Sequence, residues 1–422
     1  MKVLLLAILS TTSALAGLRA AAVKVDITPK SPQWLLGYAP RKSSATHDPI
    51  YQRILAIDDG RSQFYLVSSD LCLFSPELYD EVATELKQKM GIERKQFWWS
   101  VTHTHSAPEV GARAIYAVLL KGRSDHEWDR DYTQMVKSSL IAGIEQARSK
   151  LEPARLQTGT GISMANINRR AKDVDGTVTL GLNPDGPVDR QIGLIRLERP
   201  DGSIIALIAN YAIHGTVLSG KSNVISGDAP GVIASYIEEK LRAPVLFING
   251  AAGNLAPIYS VYDDPKAGHL SQFRVLLGDR ILEANSRLGP GTSDVTMRLD
   301  EMFVETPLKS DLPWPQELAA YSRVDSSGKR LVRLPVRFLI LGDTAVWAAP
   351  VELFCEIAMD VRNRSQFSRT FYFGYTNGWF GYLPTAAGFA EGGYEPNTSV
   401  LTSAAEGDVI RTVTSFLDGM HK

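Results

Sequence analysis

The sequence predicts an α/β fold of mixed β-sheets flanked by helices, and three observations carry that prediction. Apolar or alternating runs short enough to be strands recur along the whole chain. Segments with an apolar residue every fourth position separate them. One pair of runs, Leu334 to Leu341 and Thr344 to Ala349, flanks Gly342-Asp343 as a hairpin would. Alternating strands and helices favour parallel pairs, whereas a hairpin is antiparallel, so the sheets are expected to be mixed.

The elements follow in order. Phe64 to Ser69 alternates as a strand ending at Asp70, and a helix starts after Ser75, with Pro76 at its first position and Gly91 closing it. Leu78, Val82 and Leu86 mark its buried face. Phe97 to Val101 is a short aromatic and β-branched strand, and Tyr132, Val136, Leu140 and Ile144 place a second helix. Ile204 to Ile213 is apolar almost throughout and reads as a buried strand. A helix over Asp228 to Leu241 leads into the strand Val245 to Ile248. The three prolines between Glu305 and Gln316 suggest a surface excursion, and Pro350 ends the hairpin's second strand before a helical pattern from Glu352.

Bulk properties narrow the function. The 422 residues are enough for a sizeable core, and 44% hydrophobic with 22% charged residues is the balance of a globular protein. A formal net charge of -1 lacks the basic excess that neutralises phosphates, so no nucleic-acid partner is expected. Lys2, the apolar run Val3 to Leu9 and the small-x-small sequence Ala14-Leu15-Ala16 read as a cleavable export signal over residues 1–16. The mature chain would then begin near Gly17, secreted or periplasmic, with no transmembrane segment expected. The two cysteines, Cys72 and Cys355, exclude a zinc finger or a disulfide scaffold. They can pair in an oxidising compartment or serve as small buried apolar residues, and their apolar neighbours favour the second reading.

Four segments carry polar groups where a buried strand ends, the place where α/β sheets gather ligands. In Val101-Thr102-His103-Thr104-His105-Ser106, extended chain would aim His103 and His105 to one side, although such a pair is also ordinary on a polar strand surface. His214 ends the apolar run before Gly215, where a structural histidine is equally at home. Glu352 stands at the turn from strand to helix, a position that also suits a helix-start acid. Tyr382 closes the glycine and aromatic loop Asn377-Gly378-Trp379-Phe380-Gly381-Tyr382, where it can equally be a packing residue. Together, two imidazoles and a carboxylate form a recognised ligand set for catalytic zinc. From the residues alone, the chain is a candidate metallohydrolase.

These segments, in this order, resemble the neutral/alkaline ceramidase family. Thr102-His103-Thr104-His105-Ser106 matches a family motif. Ala212-Ile213-His214 with Ser226-Gly227-Asp228 resembles its second histidine segment. Leu341 to Val346 with Pro350-Val351-Glu352 resembles the strand that delivers a glutamate. Tyr382 with Tyr394-Glu395, and Asn166-Ile167-Asn168-Arg169 with Asn183-Pro184, resemble two further motifs. The resemblance implies one Zn2+ ion held by His103, His214, Glu352 and Tyr382. It also implies substrate contacts from His105 and Arg169, with His105 and Tyr382 assisting catalysis. The implied reaction is hydrolysis of the amide bond of N-acyl sphingosine or a related lipid amide. The expected domain spans residues 17–422, corresponding to the catalytic domain, without the C-terminal β-sandwich of longer members. The family's Gly-Asp-Val-Ser-Pro stands here as Gly253-Asn254-Leu255-Ala256-Pro257, so any role of that serine hydroxyl is lost at Ala256. A different amide or ester substrate, or a non-catalytic ligand-binding role, are the alternatives.

Overall fold

The computed structural model describes residues 17–123 and 125–421, so the export-signal stretch 1–16 lies outside the described residues. Three sheets share one plan. The first contains β1 (Arg19–Asp26), β2 (Tyr51–Asp58), β3 (Gln63–Ser69) and β4 (Phe97–Val101), in spatial order β4-β3-β2-β1, with Glu152–Pro153 at the edge beside β1. The second contains β5 (Arg155–Ile162), β6 (Gln191–Glu198), β7 (Ile204–Tyr211) and β8 (Val245–Asn249), in order β8-β7-β6-β5. The third contains β9 (Met297–Pro307), β10 (Arg330–Leu341), β11 (Thr344–Ala348) and β12 (Arg369–Phe373), in order β9-β10-β11-β12, with Ser322–Val324 paired to β10.

Within each sheet the named strands pair antiparallel except the last two, which are parallel: β3 with β4, β7 with β8, and β11 with β12. Parallel neighbours need a crossover, and each crossover here contains a helix. Among the described residues the longer helices are α1 (Pro76–Met90), α2 (Arg130–Ser149), α3 (Asp228–Leu241), α4 (Cys355–Arg364) and α5 (Ala404–His421). α1, α3 and α4 form the three crossovers, so the chain builds the same β-α-β device three times. The mixed sheets predicted from the alternation and the hairpin are present, with Leu341 paired to Thr344 across the predicted turn and Gly342 at φ 58°.

The sheets meet on apolar faces. Trp98 of β4, Leu246 and Ile248 of β8, and Phe371 and Phe373 of β12 belong to one buried cluster. The Trp98 and Phe373 rings meet edge to face with centroids 6.3 Å apart. Truncating a fully buried side chain of this size to alanine costs about 3–5 kcal/mol. Polar stitches hold the sheets to one another: the Ser68 hydroxyl donates to the Phe247 carbonyl at 2.6 Å, and the Asn210 amide donates both to the Ile248 carbonyl of its own sheet and to the Tyr372 carbonyl of the third, each at 3.0 Å.

Several local expectations change. Ser75 sits at the N-cap of α1, but its hydroxyl bonds Glu77 at 2.9 Å rather than a backbone N–H. Residues Glu305 to Pro307 are strand, not surface excursion, because Thr306 is buried against β10 in a ladder running to Leu331. The helix expected from Glu352 begins at Cys355 instead, since Glu352 and Leu353 pair in parallel with Tyr382 and Leu383. Cys72 and Cys355 are both buried and unpaired. Among the described residues no helix is long and apolar enough to cross a membrane.

Candidate metal centre

Because the three β-α-β devices point their parallel strands to one place, the loops after those strands converge. His103 follows β4, His214 follows β7, Glu352 follows β11, and Tyr375 follows β12. His103 and His105 meet, with their Nε2 atoms 3.2 Å apart, but not by strand alternation. The strand ends at Val101, and His103 lies in left-handed backbone at φ 62°. Tyr375 and Asn377 share that unusual region, at φ 53° and 67°. Each such residue costs on the order of 1–3 kcal/mol and persists only where the surroundings over-determine it.

The hydrogen bonds decide which ring nitrogens are free. His103 Nδ1 lies 3.0 Å from the Cys72 carbonyl, and His214 Nδ1 lies 2.9 Å from the Leu255 carbonyl. A carbonyl only accepts, so each Nδ1 carries the proton and each Nε2 presents a lone pair. Both Nε2 atoms lie 3.2 Å from the same Glu352 oxygen, Oε2. Three acceptors facing one another are mutually repulsive unless positive charge sits among them, and this donor set fits a cation. The grouping Cys72, His103 and His105 also has metal-binding spacing. It fits less well, since burial and the nearby Glu352 push the Cys72 thiol far up, away from the thiolate a metal needs.

The electrostatics keep His214 and His105 neutral and Glu352 ionised. Burial, Arg169 and His103 push His214 down to about 3, and burial with the two neighbouring imidazoles holds His105 well below the usual histidine range. Burial opposes ionisation of Glu352, and its carboxyl is held well below the usual range only by positive charge at the adjacent His103 and His214, a charge that a cation among them would supply with both rings neutral. Trp379 Nε1 donates to Glu352 Oε1 at 2.9 Å, the Tyr375 hydroxyl approaches Oε2 at 3.4 Å, and the Tyr375 ring stacks on His103 at 4.2 Å.

Tyr382 and Arg169 border the same group. The Arg169 guanidinium donates to Glu395 at 3.0 Å, to the Tyr382 hydroxyl at 3.1 Å and to His214 Nε2 at 2.8 Å. One lone pair cannot serve both Arg169 and a metal, so a cation at His214 requires Arg169 to withdraw that contact while Glu395 and Tyr382 still anchor it. Tyr382 stays protonated, because burial and Glu352 push its phenol up. A cleft of about 550 Å³ opens over His105, Arg169 and Tyr382, with Leu180, Leu182, Ile258 and Val261 as apolar lining. Ala256 also lines it, so the family serine position faces the cleft without a hydroxyl.

The structure therefore brings His103, His105, His214 and Glu352 into one cluster, with Tyr382 and Arg169 at its border. Sequence reasoning missed Tyr375, Trp379 and Asn249. The Asn249 amide donates to the carbonyls of Thr102 (3.2 Å) and Ile213 (2.6 Å) and accepts from the Ile213 N–H (3.0 Å), tying both histidine segments together. A signal existed for each: Asn249 ends a buried strand, and Tyr375 and Trp379 follow the apolar run ending at Phe373. Asn254 proves structural, bonding Glu356 and the Cys355 N–H through its side chain and the Arg169 N–H through its carbonyl.

A family model described as neutral/alkaline non-lysosomal ceramidase, N-terminal, matches residues 20–253. Neutral ceramidase A of Dictyostelium discoideum is 29% identical over 196 residues, 44% of this chain and 26% of that protein. The neutral ceramidase of Pseudomonas aeruginosa is 25% identical over 248 residues, 56% of this chain and 36% of that protein. The matches thus span only about a quarter to a third of these relatives. The crystal structure of the Pseudomonas aeruginosa neutral ceramidase superposes with a TM-score of 0.75 at 18% identity, covering 96% of this chain and 74% of that one. A ceramidase complexed with C2 gives 0.77 at 17% identity, covering 96% and 75%.

Proposed function

The chain belongs to the neutral/alkaline non-lysosomal ceramidase family, and from that premise we propose that it is a zinc-dependent hydrolase cleaving the amide bond of N-acyl sphingosine or a related N-acyl amide. The observation that carries the reading is the convergence of His103 Nε2, His214 Nε2 and Glu352 Oε2 within 3.2 Å contacts, with both imidazole protons already committed to carbonyls. In this reading His103, His214, Glu352 and Tyr382 hold the ion. When bound, zinc polarises the scissile carbonyl and lowers the pKa of a water to about 7.

The chain's own groups do the rest. In this reading His105, neutral and 3.2 Å from His103, takes the attacking water's proton and returns it to the leaving nitrogen. In the same reading the Arg169 guanidinium and the protonated Tyr382 hydroxyl donate to the oxygen that gains charge in the transition state. The cleft lining would hold the acyl chain and exclude water. The serine hydroxyl plays no part, since position 256 is alanine. The export signal over 1–16 and a single catalytic domain over 17–422 belong to the same reading, and N-terminal sequencing of exported protein should begin near Gly17.

The test is metal content plus turnover on N-acyl sphingosines, short N-acyl amides and matched esters, before and after chelation. Stoichiometric zinc with amide cleavage that chelation abolishes and zinc restores is the expected result. Metal without turnover of any substrate, or turnover that chelation leaves unchanged, overturns it.

A further inference from the structure

The charge on the cleft is one-sided. Among the described residues its permanently charged lining is Arg123 and Arg169, and no carboxylate borders it. Arg169 is matched by buried Glu395. The neighbouring Arg170 is matched by Glu395 and Glu391, and Arg113 by Glu109. Arg123 differs from all three. Its guanidinium reaches the Tyr394 hydroxyl at 3.4 Å and lies over that ring at 5.8 Å, and among the described residues it meets no carboxylate. A cation without a counter-ion at the wall of an apolar concavity focuses its field into the cleft. A guanidinium is also the side chain best shaped to hold a planar or tetrahedral anion through paired N–H donors.

The remaining lining is uncharged, with hydroxyls from Tyr38, Thr216, Ser260 and Tyr262 beside an apolar strip that suits an acyl chain. Leu180 and Leu182 are more than half exposed, as is Val261. Val261 is also held at φ 64°, a strained conformation for a β-branched residue. Resting on the hydrolase reading above, we infer that the cleft selects N-acyl amides that carry an anionic group (carboxylate, sulfonate or phosphate), with Arg123 as the residue that recognises the anion. Tyr394 stands between Arg123 and Tyr382, with ring centroids of the two tyrosines 5.7 Å apart. The anion would therefore sit one aromatic ring away from the scissile amide.

The test compares N-octanoylglycine with N-octanoylglycinamide, equal in size and different in charge, both kept monomeric in lipid-free buffer. The expected result is a kcat/KM at least about tenfold higher for the carboxylate, carried by KM and shrinking with added salt. Arg123→Gln should bring the ratio of the two substrates close to one, and Arg123→Lys should restore part of it. A merely structural role for Arg123 would lower both substrates together and leave the ratio intact, which overturns the inference. So does an equal or faster reaction of the neutral amide, or a preference that appears only when anionic phosphatidylglycerol vesicles are added. If neither amide is cleaved, the hydrolase reading is decided by the sphingosine, amide and ester panel above, and titration calorimetry with the same pair decides this inference separately. Tighter binding of the carboxylate, lost in Arg123→Gln, upholds it; equal binding or none rejects it.

Discussion

The metal corner and the mouth of the cleft distribute polarity in opposite ways. In the corner, His103, His214 and Glu352 are almost wholly buried, and the ring nitrogens and carboxylate oxygens of all three have assigned partners. At the mouth, Leu180, Leu182 and Val261 are apolar and face solvent. The corner draws on all three sheets, so each ligand segment is held by strands it does not belong to. The mouth depends on the antiparallel pair Asn166–Lys172 and Val178–Asn183 and on the loop around Val261. The difference teaches where substitutions act. Changes in the corner should alter chemistry and stability together, whereas changes at the mouth should alter substrate preference alone.

The largest effect is expected from Glu352→Gln or His103→Ala. One removes the carboxylate charge and the other a ring nitrogen from the three converging groups, so metal content should fall below half an equivalent by elemental analysis and kcat/KM should drop at least about a thousandfold. Full metal and activity in either variant would erase the distinction between corner and mouth.

Asn249→Ala comes next. It breaks three buried hydrogen bonds without touching a ligand and should cost about 2–4 kcal/mol in denaturant unfolding. Metal affinity should weaken about ten- to a hundredfold, as expected when a ligand's outer support is lost.

Gly37→Ala tests His105 separately. Gly37 sits at φ 107°, and a Cβ there would lie 2.5 Å from His105 Cγ. The ring must shift, so turnover should fall about a hundredfold while metal content is unchanged; loss of metal would place His105 among the ligands instead.

Acid sensitivity sharpens the comparison further. His214 is held at about 3 against an ordinary 6.5, so the unfolded chain takes up this proton first. The stability it supplies is intact above about 6.5 and is lost as pH falls toward about 3, a swing on the order of 5 kcal/mol. Thermal melts in chelator should show a fall in Tm over that window that is shallower in His214→Gln. The smallest effect belongs to Leu182→Ser, which should change Tm by less than about 2 °C and raise KM only a few-fold for long acyl chains.

Much of this arrangement was legible in the sequence because strand ends announce themselves. His103, His214 and Glu352 each close an apolar run, and period and punctuation marked those runs. Two things were hidden for physical reasons. The side-by-side placement of His103 and His105 depends on left-handed backbone at His103, which no periodicity reveals in a non-glycine residue. The position of Glu352 depends on its pairing with Tyr382, a contact between segments thirty residues apart that overrides the local helical pattern. Tyr375 was invisible for a related reason: its function is contact with His103 across two sheets, and its own neighbours look like ordinary core.

Asn249 has a consequence beyond geometry, because the residue after it is glycine. An asparagine followed by glycine is the sequence most prone to cyclise through the next backbone nitrogen and lose its amide. Here the Gly250 N–H is committed to the Tyr211 carbonyl at 3.0 Å, and the Asn249 amide is committed on both its nitrogen and its oxygen. The folded state therefore shields its own tie from chemical ageing. Once the chain unfolds, that shield is gone, and a carboxylate formed at 249 would face the carbonyls of Thr102 and Ile213 on refolding. Asn377-Gly378 is the chain's other such pair, so heat inactivation should become irreversible through deamidation at these two sites, with the lost activity tracking the modification at Asn249 in peptide maps.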